Sequence, residues 1–221
     1  MAERKAAFRL VYRSYLRAGL IEPNPHRMRV TPYHLLPTTM IFVAKLDGTV
    51  ISTMSLVCDG DLGLPMETTY GNLIQRRRER GVHIGEVTCL ADRRRSFLRF
   101  LPHFCQLTRL VAHYARRLGI DQVLAVAHPR HARFYTRSMG FSMIGGLTTC
   151  PHVRNNPAVA LCLDFAQVER ERPMLYQTIL GDPVPVDQLQ PHPMPPEEIE
   201  YFEPLVDPCF RPSPAPPACA V

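Results

Sequence analysis

Residues 128–141 have the sequence HPRHARFYTRSMGF, and this stretch decides the fold. It follows Val123–Ala127, an apolar run that is typical of a buried strand. Pro129 suits the first position of a helix, because the N–H that proline lacks is not needed there. Gly140 can end that helix with a positive φ. The stretch therefore predicts the order strand, short helix, glycine cap, strand.

The segments on either side extend this order into an α/β chain. Asp47-Gly48 is a hairpin signal between two apolar runs, because both positions tolerate a positive φ. No internal repeat is present. The predicted helices are 4–20, 66–80 and 96–118, and the predicted strands are 39–46, 50–57, 82–90, 121–127, 141–150 and 158–165.

The character of the chain changes beyond Phe165. Of the 22 prolines in the 221 residues, 12 lie in residues 182–221, and proline-rich composition disfavours regular structure. We therefore predict one domain over residues 1–165 and a proline-rich acidic tail over residues 166–221. The apolar patches Met174–Leu180 and Ile199–Phe202 lead us to expect a tail that is partly disordered or docked on the core.

Charge is distributed unevenly along the chain. Residues 1–165 carry 23 basic and 11 acidic groups, whereas residues 166–221 carry 3 basic and 9 acidic groups. A positive core favours an acidic partner, such as a carrier protein, a phosphorylated cofactor or nucleic acid. The longest apolar runs are too short for a transmembrane segment. The seven widely spaced cysteines fit reduced thiols, so we expect a cytoplasmic protein.

Two interpretations of the short helix are open. Ala132, Phe134, Tyr135, Gly140 and Phe141 occur in an order that resembles the last helix of the GNAT N-acyltransferases. That resemblance implies a central mixed sheet flanked by helices, and a tyrosine that protonates the departing thiolate. In the alternative interpretation the helix is amphipathic and its aromatic residues merely pack.

The resemblance also implies where the chemistry takes place. Strands around Glu86–Leu90 and Gln122–Ala127 would splay apart to admit a pantetheine arm, with Tyr135 as the acid. The backbone N–H of Cys89 would donate to the oxyanion. Glu86 would accept the proton of the amine or bind its ammonium group. Alternatively, Glu86 is a strand-edge carboxylate that pairs with a nearby arginine. The functional role is favoured, because an unpaired carboxylate within a buried strand is costly.

The acyl donor is indicated by a missing motif. Acetyl-CoA enzymes of the GNAT superfamily hold pyrophosphate in a glycine-rich loop after this strand, but no glycine lies between Gly85 and Gly119. We therefore expect no bound cofactor, and a donor thioester on the phosphopantetheine of acyl carrier protein, with a CoA thioester as the alternative. A patch of arginines would dock the acidic carrier, although each arginine alone is also typical of a solvated surface: Arg93, Arg94, Arg95 and Arg99.

Three segments together resemble the long-chain N-acyl amino acid synthases, the FeeM-type, autoinducer-synthase-like branch of the superfamily. These segments are Phe8–Tyr12 with Tyr15, Gly85–Ala91, and Pro129–Tyr135 with Gly140-Phe141. The resemblance covers residues 4–165. It implies an acyl carrier protein as partner, a fatty acyl chain, and an amino acid as acceptor. Relatives that make acyl-homoserine lactones tend to have an arginine soon after the strand glutamate and a tryptophan in their first segment. Cys89 breaks the first pattern and this chain has no tryptophan, so lactone synthesis is disfavoured.

Acceptor binding is predicted at the first helix and at the short helix. Arg9 could pair with the acceptor's carboxylate, with Tyr12 beside it and His131 facing the cleft. His128 and His131 are three residues apart, but no third ligand accompanies them, so we expect His128 to cap the helix and no metal to bind. Four apolar residues could line an acyl tunnel or form an ordinary core: Met40, Met54, Leu56 and Phe104.

The sequence thus favours an N-acyltransferase that moves a long-chain fatty acyl group from acyl carrier protein to the α-amine of an amino acid. One alternative is a CoA-dependent GNAT N-acyltransferase that acts on a small amine. A second is a non-catalytic basic module that binds nucleic acid or an acidic protein. No nucleic-acid-binding motif is present, so we expect no nucleic-acid partner.

Overall fold

A six-stranded mixed sheet forms the centre of the molecule in the computed structural model, which describes residues 1–94 and 97–207. The structure confirms the α/β class and places the elements predicted before residue 165 within a few residues of their expected bounds. The strands are β1 (Thr39–Leu46), β2 (Thr49–Cys58), β3 (Ile84–Asp92), β4 (Gln122–Ala127), β5 (Ser142–Cys150) and β6 (Asn156–Asp164). The helices are α1 (Ala2–Arg17), α2 (Glu67–Glu79), α3 (Phe97–Arg117), α4 (Pro129–Phe134), α5 (Phe165–Glu171) and α6 (Pro196–Phe202).

The strand order in the sheet is β1-β2-β3-β4-β6-β5. β3 and β4 pair in parallel, and the other neighbouring strands pair antiparallel. Parallel neighbours require a crossover connection, and α3 provides it between β3 and β4. The two central strands are therefore neighbours whose carboxyl ends lie at the same edge of the sheet.

Helices cover both faces of this sheet, because side chains alternate along each strand and give it two apolar faces. On one face, Phe104 and Val111 of α3 pack with Met54 of β2. On the other face, Ile74 of α2 packs with Leu124 of β4, and α1 lies against β2 and β3. The central strands are thus enclosed between two layers of helices.

The sheet opens between its two parallel strands. Pairing between β3 and β4 runs from Ile84 with Gln122 to Val87 with Ala125 and then stops, although both strands continue. Beyond that point β3 stays paired with β2, and β4 stays paired with β6 as far as Ala127. The predicted splaying of these two strands is therefore confirmed.

Residues 166–207 form more regular structure than their proline content predicted. A π-helical turn at Gln177–Gly181 and helix α6 follow α5. The prolines are compatible with this because several lie where no N–H is required, as Pro196 does at the first position of α6. The expectation of a tail with little regular structure is corrected for these residues.

Both apolar patches of this segment contact the core. Ile179 and Leu180 are buried in the cluster that includes α3. Phe202 is fully buried, and its ring meets the ring of Phe8 edge-on with 5.0 Å between the centroids. Met174, at the start of the first patch, remains 78% exposed. The division into a domain over residues 1–165 and a tail over residues 166–221 stays a prediction.

No helix in the described ranges 1–94 and 97–207 combines the length and apolar character that a membrane span needs.

Replacing Phe202 with alanine tests whether the C-terminal segment belongs to the cooperative fold. Removal of a fully buried phenylalanine leaves a cavity, so Phe202→Ala should lower the free energy of unfolding by about 3–5 kcal/mol. Urea unfolding followed by circular dichroism measures the change. Val186→Ala is the control, because Val186 is 63% exposed in the same segment. Equal stability of the two variants would mean that α6 docks without contributing to stability.

Candidate active site

The turn after β4 presents Tyr135 to the opening in the sheet. Helix α4 begins at Pro129 and is capped by His128, whose Nδ1 accepts a hydrogen bond from the N–H of Arg130 at 3.2 Å. A π-helical turn, Tyr135–Met139, continues α4 and ends at Gly140 with a φ of 81°. The proline start, the histidine cap and the glycine end were predicted and are confirmed. Single π-helical turns are frequent at functional sites.

Tyr135 lies among other aromatic rings. Its ring centroid is 5.6 Å from that of Phe141 and 6.2 Å from that of Phe104, and both pairs meet at steep angles. Burial raises the pKa of Tyr135 to about 12. The hydroxyl is therefore protonated throughout the range in which enzymes operate, and can serve as a proton donor.

Strand β3 carries a β-bulge directly beside the opening. Thr88 pairs with Ser55 and Ala91 pairs with Thr53, so the two residues Cys89 and Leu90 stand opposite Met54 alone. Cys89 has a φ of 53°, a positive value that costs a non-glycine residue about 1–3 kcal/mol. A bulge leaves one residue out of the strand ladder. Backbone N–H groups near Cys89 are consequently able to face a ligand.

A cavity that is open to solvent lies at the parted strands, and residues from both faces of the sheet line it. Phe104 and Val111 of α3 line it from one face, and Tyr15 of α1 and Cys89 line it from the other. Tyr135 lines it at the level of the strand ends. Most of the remaining lining is apolar and comes from the strands, from α3 and from the segment on either side of Gly140: Met54, Val87, Leu90, Ala112, Val123, Ala125, Val126, Ala127, Met139, Phe141 and Leu163.

The residues predicted for an acyl tunnel are separated by the structure. Met54 and Phe104 line this cavity. Leu56 is fully buried in the core beside it. Met40 lines a second cavity at the free edge of β1. Two of the four predicted residues, Met54 and Phe104, therefore lie at the opening.

Glu86 is buried three residues before Cys89 in the same strand. Only 3% of it is exposed, and its Oε2 accepts a hydrogen bond from the N–H of Met66 at 2.7 Å. Within the described residues, Glu86 forms no ion pair, so the predicted alternative of an arginine partner is not what the structure contains. Burial, opposed by the Met66 hydrogen bond and assisted by the nearby Glu67 charge, raises the pKa of Glu86 to about 8. It lies towards α2 and does not line the cavity itself.

Two residues that the sequence analysis did not assign lie beside the cavity. Tyr15 lines it, and the Arg29 guanidinium lies over the Tyr15 ring at 5.4 Å from the centroid. Arg29 is 3% exposed and also borders Cys89. Tyr15 had a signal in the resemblance of the first helix. Arg29 had none, because it lies in a proline-rich connection without periodicity.

The predicted acceptor-binding residues do not lie beside the cavity with Tyr15 and Arg29. Arg9 is exposed, and Tyr12 is buried with its hydroxyl accepting a hydrogen bond from the N–H of Asn24 at 3.4 Å. Arg9 and Tyr15 are six residues apart in α1, which places them on different faces of the helix. His131 is exposed on α4, where its Nε2 accepts a hydrogen bond from Arg130 Nε at 3.0 Å. The structure places none of the three on the cavity wall.

The predicted carrier-docking arginines begin where β3 ends. Arg93 and Arg99 are exposed. Arg94 is held by Asp92, whose carboxylate accepts bonds from its backbone N–H at 2.7 Å and from its Nε at 2.9 Å. Part of its charge is therefore neutralised locally. Arg95 lies outside the described residues.

The fold and the site define an acyltransferase with a GNAT-like fold, because a sheet that opens between two parallel strands places a tyrosine and a bulged strand at an apolar cavity. The family model of the N-acyl amino acid synthase FeeM matches residues 6–164, and the chain belongs to this family. The protein is accordingly an N-acyltransferase. This sets aside the interpretation as a non-catalytic binding module.

Solved structures agree with this assignment. The structure of FeeM, an N-acyl amino acid synthase from uncultured soil microbes, is 27% identical with a TM-score of 0.65, and the match covers 75% of this chain and 95% of that one. The AHL synthase LasI is 16% identical with a TM-score of 0.60, covering 82% and 89%. BjaI, a CoA-dependent acyl-homoserine lactone synthase, is 19% identical with a TM-score of 0.56, covering 84% and 88%. The last two share the fold. No curated protein matches the chain.

Replacing Glu86 with glutamine tests whether burial raises the pKa of its carboxyl group. A carboxyl whose pKa is about 8 in the folded state and about 4.5 in the unfolded state binds an extra proton on folding between these values. The free energy of unfolding therefore falls as pH rises from about 5 to 8, by at most about 1.4 kcal/mol per pH unit. Glu86→Gln should remove this fall, as measured by urea unfolding at pH 5.5, 6.5 and 7.5.

Glu200→Gln is the matched control, since Glu200 is exposed and should leave the pH dependence unchanged. If the free energy of unfolding depended on pH in the same way for Glu86→Gln and for the wild-type protein, the pKa of Glu86 would not be raised.

Proposed function

We propose that the protein transfers a long-chain fatty acyl group from the phosphopantetheine thioester of acyl carrier protein to the α-amine of an amino acid. The observation that carries this proposal is the cavity through the opened sheet. Its wall on the α3 side carries Phe104 and Val111, which suit an acyl chain. Its wall on the α1 side carries the Tyr15 side chain and the bulge at Cys89, where we place the acceptor. We further propose residues 1–165 as the catalytic domain, and a cytoplasmic location, which fits free thiols such as Cys89.

The proposed donor follows from what surrounds the strand end. The connection from Ala91 to α3 contains no glycine to cradle a pyrophosphate, which CoA would bring. Arg93, Arg94, Arg95 and Arg99 would instead attract the acidic carrier. The pantetheine arm would enter between β3 and β4, where unpaired strand edges offer hydrogen bonds.

The reaction needs one proton removed from the acceptor and one delivered to sulfur. Glu86, as carboxylate, takes a proton from the ammonium group, directly or through water, and the free amine attacks the thioester carbonyl. The backbone N–H of Cys89 donates a hydrogen bond to the oxyanion. Tyr135 protonates the departing thiolate and regains a proton from the nitrogen that becomes the amide. The products are an N-acyl amino acid, a free thiol and one proton.

The proposed base has a pKa suited to this role. General bases act best when their pKa lies near the working pH, and the pKa of Glu86 is raised to about 8. Cys89 is not required as a nucleophile. Burial raises the pKa of its thiol, which disfavours the thiolate that covalent catalysis would need.

A donor competition tests the function directly. We would incubate the purified protein with long-chain acyl carrier protein or long-chain acyl-CoA, and a mixture of amino acids, and identify the products by mass spectrometry. The expected product is an N-acyl amino acid from the carrier-protein donor. Because docking is electrostatic, the rate of acyl transfer from the carrier protein should fall as ionic strength rises. Arg99→Gln should lower kcat/KM for that donor alone. Arg80→Gln, an exposed arginine on another element, is the control.

Product from acyl-CoA alone would instead support a CoA-dependent N-acyltransferase that acts on a small amine. That second candidate has one observation in its favour, the shared fold with a CoA-dependent synthase.

Replacing Tyr135 with phenylalanine tests its role as the acid. Tyr135→Phe removes one hydroxyl, and loss of general acid catalysis should lower kcat by about 10²–10⁴-fold while KM for the donor stays nearly the same. Initial rates at varied donor concentration separate the two constants. Tyr201→Phe, on the partly exposed face of α6, should retain wild-type rates. A fully active Tyr135→Phe enzyme would exclude Tyr135 as the acid.

A further inference from the structure

Arg29 is a buried cation next to residues that line the cavity on its α1 side. Its guanidinium lies over the ring of Tyr15, which lines the cavity, and borders the thiol of Cys89 at the bulge. Its Nη2 donates to the carbonyl oxygen of His152 at 2.7 Å. A charge at 3% exposure is expensive to bury unless it is paired or serves a ligand. A positive charge is thus held a short distance from the proposed site of acyl transfer.

The partner of Arg29 is a carboxylate from the far end of the chain. Asp207 Oδ2 accepts a hydrogen bond from Arg29 Nη1 at 3.1 Å, across 178 positions of sequence. The backbone brings Asp207 there, because Val206 bridges to Val30 and the N–H of Asp207 donates to the carbonyl oxygen of Val30 at 3.0 Å. The family model matches residues 6–164, so this carboxylate comes from a segment that the family model does not cover.

A carboxylate is the kind of group that the Arg29 guanidinium already binds. Arginine holds carboxylates through charge-assisted N–H···O bonds, as it does here with Asp207 at 3.1 Å. An incoming carboxylate can therefore make the same kind of bond as the one it replaces. The exchange also leaves the buried charge paired throughout, which avoids the cost of a bare guanidinium.

We propose that Arg29 selects amino acids as acceptors by binding their α-carboxylate, and that Asp207 of the C-terminal segment holds the guanidinium until the acceptor's carboxylate replaces it. This inference rests on the function proposed above. With the acyl chain on the α3 side of the opened sheet, the acceptor reaches the thioester from the α1 side, where Tyr15, Cys89 and Arg29 lie. The structure thereby assigns to Arg29 the role that the sequence analysis gave to Arg9.

A pair of acceptors that differ only in the carboxylate tests the proposal. We would measure kcat and KM for phenylalanine and for phenethylamine with the same acyl donor. The wild-type enzyme should prefer phenylalanine. Arg29→Gln should raise KM for phenylalanine by about 10–100-fold, as expected for loss of a charge-assisted pair, and leave the constants for phenethylamine little changed. Arg29→Lys should give a smaller rise, because lysine keeps the charge but loses the planar fork.

Asp207→Asn tests the exchange separately. Removal of the competing charge should lower KM for phenylalanine and leave phenethylamine unaffected. A higher KM for phenylalanine would overturn the exchange. Thermal unfolding verifies that each variant folds. If Arg29→Gln does not fold, the two single variants Arg29→Lys and Asp207→Asn carry the test. Arg154→Gln is the matched control, because Arg154 is an exposed arginine paired with Glu22 at the surface.

Other outcomes would also overturn the proposal. Equal losses for phenylalanine and phenethylamine in Arg29→Gln would make Arg29 structural. A selective loss in Arg9→Gln, without one in Arg29→Gln, would return the role to Arg9. A wild-type enzyme that acylates both acceptors equally well would refute the role of Arg29 and leave acyl transfer intact. If the wild-type enzyme acylates neither acceptor, nor any amino acid of the mixture, the proposed function itself is wrong.

Discussion

The end of the β3–β4 ladder is the constraint on which the rest of this structure depends. After Val87 and Ala125 the two strands stay with their outer neighbours and separate from one another. Buried backbone N–H and C=O groups need partners, so an opening inside a sheet persists only where a ligand or a special backbone conformation uses it. The bulge at Cys89 lies on one side of this opening and the π-helical turn at Tyr135 on the other.

Two buried ionisable side chains accompany the opening, and each has a hydrogen bond to the backbone. Glu86 is held by the N–H of Met66, and Arg29 by the carbonyl oxygen of His152. The two lie on the side of the sheet that α1 and α2 cover, whereas α3 covers the opposite face and adds Phe104 and Val111 to the apolar lining. A polar acceptor and an apolar acyl chain would therefore meet at the plane of the sheet, from opposite faces.

The C-terminal segment supports both walls of the site. Near Tyr135, the N–H of Leu175 donates to the carbonyl oxygen of Ser138 at 2.9 Å, and a Cβ at Gly140 would lie 2.9 Å from Pro173 Cγ. Gly140 is thus needed both for its positive φ and for this close approach. On the other side, Asp207 reaches Arg29. The segment beyond residue 165 is consequently in contact with the site at two separate places.

The order of helices and strands, and the glycine and proline boundaries around Tyr135, follow from the sequence alone, because periodicity and backbone preferences act over a few residues. The placement of Cys89 and Tyr135 at the opening was implied by the family resemblance and not by these local patterns. Tertiary structure decided which helix face meets the cavity, so that Tyr15 lies there and Arg9 does not. It also decided that Arg29 and Asp207 meet across 178 positions. A proline-rich connection and a distant tail carry no local pattern for such a contact, because only the packing of the whole chain brings them together.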